Sequence, residues 1–122
     1  MGIDRMKAFV TGVGGQLGHD IVIELAKRGY EAIGSDIANE YSGIQDESAA
    51  CRAPYYSLDI TDAEKVTKVI REVKPDVVFH CAAWTAVDLA EDEDKQAKVR
   101  AINVDGTQNI ANVCQELSCK II

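Results

Sequence analysis

The 122-residue sequence predicts an α/β fold, a doubly wound parallel sheet with helices on both faces, and three observations carry that prediction. Short apolar runs alternate with amphipathic segments along the whole chain, as in repeated strand–helix–strand units. The first run, Lys7 to Thr11, enters a glycine-dense turn and then a segment of helical periodicity. A later run, Val77-Val78-Phe79, is apolar at every position, as a parallel strand buried on both faces requires.

Each element follows from local signals. Gln16 to Arg28 carries apolar residues at Leu17, Ile21 and Leu25, with Val22 and Ala26 beside them, on one helical face. Its stop is Arg28-Gly29, a basic last turn followed by glycine. His19 reads as a surface residue of this helix. Glu31 to Ser35 forms a second strand ending at Asp36. Ile37 to Ala53 scatters Asn, Ser, Gly and Asp without periodicity, as a long connecting loop does. Pro54 to Leu58 is the third strand and leads into Asp59-Ile60. Thr61 or Asp62 then caps a helix over Ala63 to Val73, whose inner face is Val66, Val69, Ile70 and Val73. Lys74-Pro75-Asp76 separates it from the fourth strand.

Past that strand the chain reads His80-Cys81-Ala82-Ala83, and small residues at a strand's carboxyl end leave room for a ligand. The acidic run Glu91 to Asp94 precedes a long helix, Lys95 to about Leu117, and complements its dipole without needing a site. Ala97, Ala101, Val104, Ala111 and Cys114 share a face of that helix. Asn103 and Gly106 are poor helix formers in its middle, where glycine costs about 1 kcal/mol against alanine, so close packing or a ligand contact is expected there. Lys120-Ile121-Ile122 begins a fifth strand, and the expectation is a sheet truncated at that point, the N-terminal portion of a longer protein.

Composition narrows the function. A net charge of −7 offers no basic stripe for nucleic acid. No apolar run approaches the roughly 18 residues that span a bilayer, and no signal-peptide h-region opens the chain, so a cytoplasmic protein without a membrane partner is expected. Cys51, Cys81, Cys114 and Cys119 lack metal-ligand spacing and read as reduced structural thiols, with no metal site expected.

The glycines at 12, 14, 15 and 18 have the register G-x-x-G-x-x-G. Gly12 can leave the strand in a tight turn. Gly14 and Gly15 let backbone approach a pyrophosphate, and Gly18 lets helix and strand pack closely. The N–H groups that start the helix suit an anion. A glycine loop that only turns the chain is the plain alternative. The strand before, the helix after and Asp36, 18 residues beyond Gly18, favour a Rossmann-like dinucleotide site with Asp36 on the adenosine ribose. No Arg or Lys directly follows Asp36 to meet a 2′-phosphate, which leans toward NAD over NADP.

These residues also carry a family resemblance. Thr11 to Gly18, T-G-x-x-G-x-x-G, resembles the short-chain dehydrogenase/reductase superfamily in its extended, sugar-nucleotide-modifying branch. Ala82 to Glu91, AAWTAVDLAE, is similar to a segment of the dTDP-4-dehydrorhamnose reductases, and Asn103 to Asn109 resembles the branch more generally. One departure is His80-Cys81, where the family often has Asn before the Ala-Ala pair. The resemblance implies one NAD(P)-binding domain over residues 1–122 and reduction of a dTDP-4-keto-6-deoxy sugar in rhamnose synthesis. It implies a pyrophosphate site on Gly12, Gly15 and Gly18, further cofactor contacts at Gly14, Gln16 and Leu17, and adenine at Asp59 and Ile60. It further implies a nicotinamide side at Ala82, Ala83 and Trp84, a substrate rim at Thr85 and Val87, and Asn103 in a proton relay. It leaves room for a homodimer.

The family's chemistry needs a tyrosine with a lysine four residues on. Tyr30, Tyr41, Tyr55 and Tyr56 are followed at that distance by Gly34, Gln45, Asp59 and Ile60. The expectation is a chain that binds cofactor and does not turn over alone. An epimerase or dehydratase of the same branch, and a non-catalytic regulatory subunit resembling that of methionine adenosyltransferase, remain alternatives.

Overall fold

A computed structural model describes residues 6–41, 43, 53–81 and 101–122, with the side chains of 101–103 excepted. Its strands are β1 (Lys7–Thr11), β2 (Glu31–Asp36), β3 (Tyr55–Ser57), β4 (Val77–His80) and β5 (Lys120–Ile121). They form one parallel sheet of order β3-β2-β1-β4-β5. Helix α1 (Gln16–Lys27) joins β1 to β2, α2 (Ala63–Val73) joins β3 to β4, and α3 (Thr107–Leu117) precedes β5. The order reverses between β2 and β4 on either side of β1, the crevice position at which such sheets bind ligands.

The period-2 alternation of the strands divides the core into two layers. Phe9, Ile33 and Val78 face α2 and α3, where Val66, Val69, Ile70, Val73, Ile110, Val113 and Cys114 close over them. Ala8, Val10 and Val77 face the opposite way, toward Val22 and Leu25 of α1. Phe9 pairs in register with both Ile33 and Val78, so one apolar row crosses the three central strands. Helices therefore cover both faces, as expected from the alternating segments.

Helix α2 has its predicted limits and inner face. Asp62 is the cap that acts, its Oδ1 accepting the Lys65 N–H at 3.2 Å. Lys74 closes the helix at φ 51°, and its N–H returns to the Ile70 carbonyl at 2.8 Å. The described ends of the long connection after β2 are tied to β3, because Tyr55 Oη donates to the Ala38 carbonyl at 2.6 Å. Most of that connection, residues 42 and 44–52 with Cys51 among them, lies outside the described residues.

Three expectations are corrected. Leu17 does not join the buried face of α1 but is 62% exposed, because the face is set one residue later by Gly18, Val22 and Leu25. His19 is buried rather than on the surface, since the same rotation turns it inward beside Val22. The long helix is not uniform where it is described. Ala101–Gly106 is a π-helical turn, and regular α geometry begins at Thr107. Bonds to the fifth residue shift the helical phase. Val104 is consequently exposed, and the buried stripe is Ile110, Val113 and Cys114. Residues 91–100 lie outside the described residues.

The glycine at the end of that π-helical turn has a packing cause. A Cβ on Gly106 would come within 2.5 Å of Ile60 Cδ1 and 2.6 Å of its Cγ1. Gly106→Ala is expected to lower stability by about 1–2 kcal/mol, overpacking outweighing the better helix propensity of alanine. Urea melts of Gly106→Ala, Ile60→Ala and the double variant check this. The double variant should lose less than the sum of the singles, because removing the Ile60 side chain vacates the clash.

Cys81, Cys114 and Cys119 are free thiols. Burial and a hydrogen bond with Cys119 push the Cys114 thiol up to about 12, so it is protonated and inert at neutral pH. Among the described residues no cluster of His, Cys, Asp or Glu could hold a metal ion, and no helix is long and apolar enough to cross a membrane.

Candidate functional site

The glycine turn projects from the carboxyl end of β1 at the sheet's crevice. Gly12 has φ 69°, a left-handed conformation that favours glycine, and it turns the chain out of the strand. The Val13 N–H then bonds the Ser35 carbonyl of β2 at 3.1 Å, and the Gly15 N–H bonds back to the Gly12 carbonyl at 3.1 Å. Helix α1 starts at Gln16 with Gly15 as its cap. A helix's first N–H groups lack an intrahelical acceptor, and Gln16-Leu17-Gly18-His19 brings no acidic side chain to them. The turn thus presents backbone donors and a helix-dipole positive end to the crevice mouth, an arrangement that suits an anion.

Gly18 makes that approach possible. A Cβ there would overlap the Gly12 carbonyl oxygen and come within 2.8 Å of Val13 Cα. Gly15 differs, because its Cβ would meet only the Gly12 oxygen, at 3.5 Å. One glycine is required by the protein's own packing. The other faces open space at the mouth.

Asp36 is brought directly to the glycine turn. Its Oδ2 accepts the Gly14 N–H at 2.8 Å, and its Oδ1 accepts the Ile37 N–H at 2.8 Å. A Cβ on Gly14 would stand 2.8 Å from the same Oδ2, so the contact needs glycine. A carboxylate has about four acceptor positions, and two remain for hydroxyl donors after these bonds are made. The Asp36 charge also reaches Tyr55, whose hydroxyl is raised above the ordinary tyrosine value by partial burial first and by Asp36 second.

Asp59 and Ile60 adjoin Asp36, because the Leu58 N–H bonds the Asp36 carbonyl at 2.8 Å. Asp59 Oδ1 accepts the Thr61 N–H at 3.0 Å and the Thr61 hydroxyl at 2.7 Å. Ile60 is 6% exposed and packs against Gly106, while its carbonyl accepts Asn109 Nδ2 at 2.9 Å. Little of the Ile60 side chain faces solvent. The backbone of Asn103 lies in the π-helical turn, its side chain outside the described residues. Ala82, Ala83, Trp84, Thr85 and Val87 also lie outside them.

A second polar group at the crevice floor was not assigned a role from sequence. His80 Nδ1 is 2.9 Å from Thr11 Oγ1, and His80 Nε2 is 2.9 Å from Thr107 Oγ1. The Cys81 N–H also donates to Thr11 Oγ1, at 3.0 Å. Burial holds the His80 imidazole below its ordinary value, so it is neutral at neutral pH. The available signal was a polar residue closing each of two apolar strands, Thr11 and His80, which pair in register. Ser35, the register partner of Thr11 on its other side, is fully buried, and its hydroxyl has no partner among the described residues.

A family described as RmlD substrate binding domain matches residues 6–122. The chain belongs to the RmlD family. Among curated relatives, the dTDP-4-dehydrorhamnose reductase of Streptomyces griseus is 32% identical over 97% of this chain and 32% of its own length. Two solved structures share the fold. UDP-glucose 4-epimerase of Thermus thermophilus, complexed with NAD, superimposes with a TM-score of 0.81 at 28% identity, over 95% of this chain and 36% of that one. The dTDP-4-dehydrorhamnose reductase of Bacillus anthracis, complexed with NADP, gives 0.73 at 28% identity over 96% and 35%. This RmlD-family chain therefore spans about a third of the length of the relatives it matches. The superfamily resemblance read from Thr11 to Gly18 and from Ala82 to Glu91 is borne out at the family level.

Proposed function

We propose that residues 1–122 form the NAD(P)-binding domain of a sugar-nucleotide reductase, which transfers hydride from NAD(P)H to a dTDP-4-keto-6-deoxy sugar. The observation that carries the reading is the bond from the Gly14 N–H to the Asp36 carboxylate at the N-terminus of α1. It joins the glycine turn to the carboxylate that ends β2, which supports a pyrophosphate site beside a ribose acceptor.

In this reading Gly12, Gly15 and Gly18 hold the pyrophosphate, and Gly14, Gln16 and Leu17 also border the cofactor. The free acceptor positions of Asp36 take the ribose hydroxyls, and Asp59 with Ile60 borders the adenine. A second negative charge beside Asp36 would be repelled, which favours NAD over NADP. Ala82, Ala83 and Trp84 line the nicotinamide side, Thr85 and Val87 the sugar side. The nicotinamide, when bound, supplies the hydride. Charge then builds on the sugar's carbonyl oxygen and must be met by an acid. None of Tyr30, Tyr41, Tyr55 and Tyr56 has a lysine four residues on. Asn103 has no such tyrosine in this chain to serve.

A second reading is an NAD-dependent sugar-nucleotide epimerase. Its support is the higher TM-score with the Thermus thermophilus UDP-glucose 4-epimerase, 0.81 against 0.73 for the Bacillus anthracis reductase.

Calorimetric titration of the chain with NADH, NADPH and ADP-ribose tests the dinucleotide reading. NADH and ADP-ribose are expected to bind, with NADPH weaker. Binding of none would overturn the reading, and a preference for NADPH would remove the role given to Asp36. A protein of the relatives' full length is expected to oxidise NADH with a dTDP-4-keto-6-deoxy sugar, while the 122-residue chain does not. Interconversion of UDP-sugars by the long protein, without net NADH oxidation, would select the epimerase instead.

A further inference from the structure

Three segments distant in sequence meet at one imidazole. His80 closes β4, Thr11 closes β1 immediately before Gly12, and Thr107 opens α3 immediately after Gly106. The two ring nitrogens stand 2.9 Å from the two threonine hydroxyls, one on each side. We propose that His80 is a positioning residue that couples the glycine turn to the π-helical turn Ala101–Gly106, and so sets the separation of two walls of the crevice. The proposal rests on the dinucleotide reading of that crevice for its functional consequence, though not for the coupling itself.

The chemistry of the ring suits this role. A neutral imidazole has one donor and one acceptor nitrogen, while a threonine hydroxyl is both donor and acceptor. Thr11 Oγ1 accepts the Cys81 N–H and, as a hydroxyl with two lone pairs and a proton, can meet His80 Nδ1 in either role. Either tautomer therefore completes a chain from the Cys81 amide through Thr11 and His80 to Thr107. An aliphatic side chain at position 80 would break the chain at both threonines. The same end of the π-helical turn has a second anchor one residue earlier, where Gly106 packs on Ile60. The C-terminal end of the turn that carries Asn103 is thus fixed by a hydrogen bond at Thr107 and a packing contact at Gly106.

Asn and Gln separate the two halves of the link. An asparagine amide reaches only as far as Nδ1, and a glutamine amide reaches as far as Nε2. His80→Asn should keep the bond to Thr11 and lose that to Thr107, while His80→Gln should do the reverse. Amide hydrogen exchange without ligand reads this directly. In His80→Asn the first turn of α3 should exchange about 10-fold faster with the Cys81 amide unchanged, and in His80→Gln the Cys81 amide should be the faster one. His80→Phe should loosen both and, in a protein whose circular dichroism matches the parent, weaken ADP-ribose about 5-fold or more. Identical exchange in the Asn and Gln variants, or parental exchange and affinity in a folded His80→Phe, would overturn the coupling. Failure of the parent itself to bind ADP-ribose would instead count against the dinucleotide reading, and the exchange comparison would still decide the role of His80.

Discussion

Gly18→Ala is expected to destabilise the chain by about 3 kcal/mol, the upper part of the range for inserting a methyl into closed packing. The added Cβ would overlap the Gly12 carbonyl oxygen and lie 2.8 Å from Val13 Cα and 2.9 Å from Gly12 C. All three are backbone atoms of a turn held by the bond from the Val13 N–H to the Ser35 carbonyl and by that from the Gly15 N–H to Gly12. None is the flexible end of a side chain that could swing away, so α1 must tilt from β1 and open the packing of Val22 and Leu25 on Ala8 and Val10. Helix propensity works the other way, since alanine is favoured over glycine by about 1 kcal/mol inside a helix. A fall in the thermal midpoint of roughly 10 °C or more would be the signature, at about 4–8 °C per kcal/mol for a domain near this size. Gly15→Ala is the control, because its Cβ meets only one oxygen at 3.5 Å. Equal midpoints for the two variants would show that α1 does not depend on that close approach.

Gly15→Val should do the opposite and lower affinity for NADH and ADP-ribose by about 10-fold or more, at least 1.4 kcal/mol, while the fold survives. The backbone at Gly15 has φ −89° and ψ 171°, an extended conformation open to valine. Valine is a poor helix cap, so a stability loss on the order of 1 kcal/mol accompanies the change. The branched side chain would enter the open space beside Gly15, which is the space proposed for the pyrophosphate. Calorimetry on the folded variant decides between the two functions of the turn. Unchanged affinity would mean that Gly15 serves only the geometry of the chain.

Periodicity was sufficient for most of the architecture. Segments such as Ala63–Val73 are long and strongly patterned, and a stripe at Val66, Val69, Ile70 and Val73 has only one face to bury. The apolar run at Val77 to Phe79 suits an interior strand, and the glycine register with Asp36 points to the two strand ends that the fold joins by a hydrogen bond. Those signals are local, and local sequence determines them.

Tertiary contact decided the rest. Leu17 and Gly18 exchange places on α1 because a backbone-to-backbone approach, not hydrophobicity, selects which residue faces the sheet. The π-helical turn at Ala101–Gly106 rotates the helix so that Val104 leaves the core and Ile110 enters it, a phase shift that no 3.6-residue count anticipates. The link from Thr11 through His80 to Thr107 depends on strand register and helix placement together. Sequence by itself determined most of the strands and helices and where the glycine turn lies, because each is encoded within a few consecutive residues. Only the folded sheet decided which polar side chains meet at its carboxyl end, because residues 27 and 69 apart become neighbours there through strand register and helix packing.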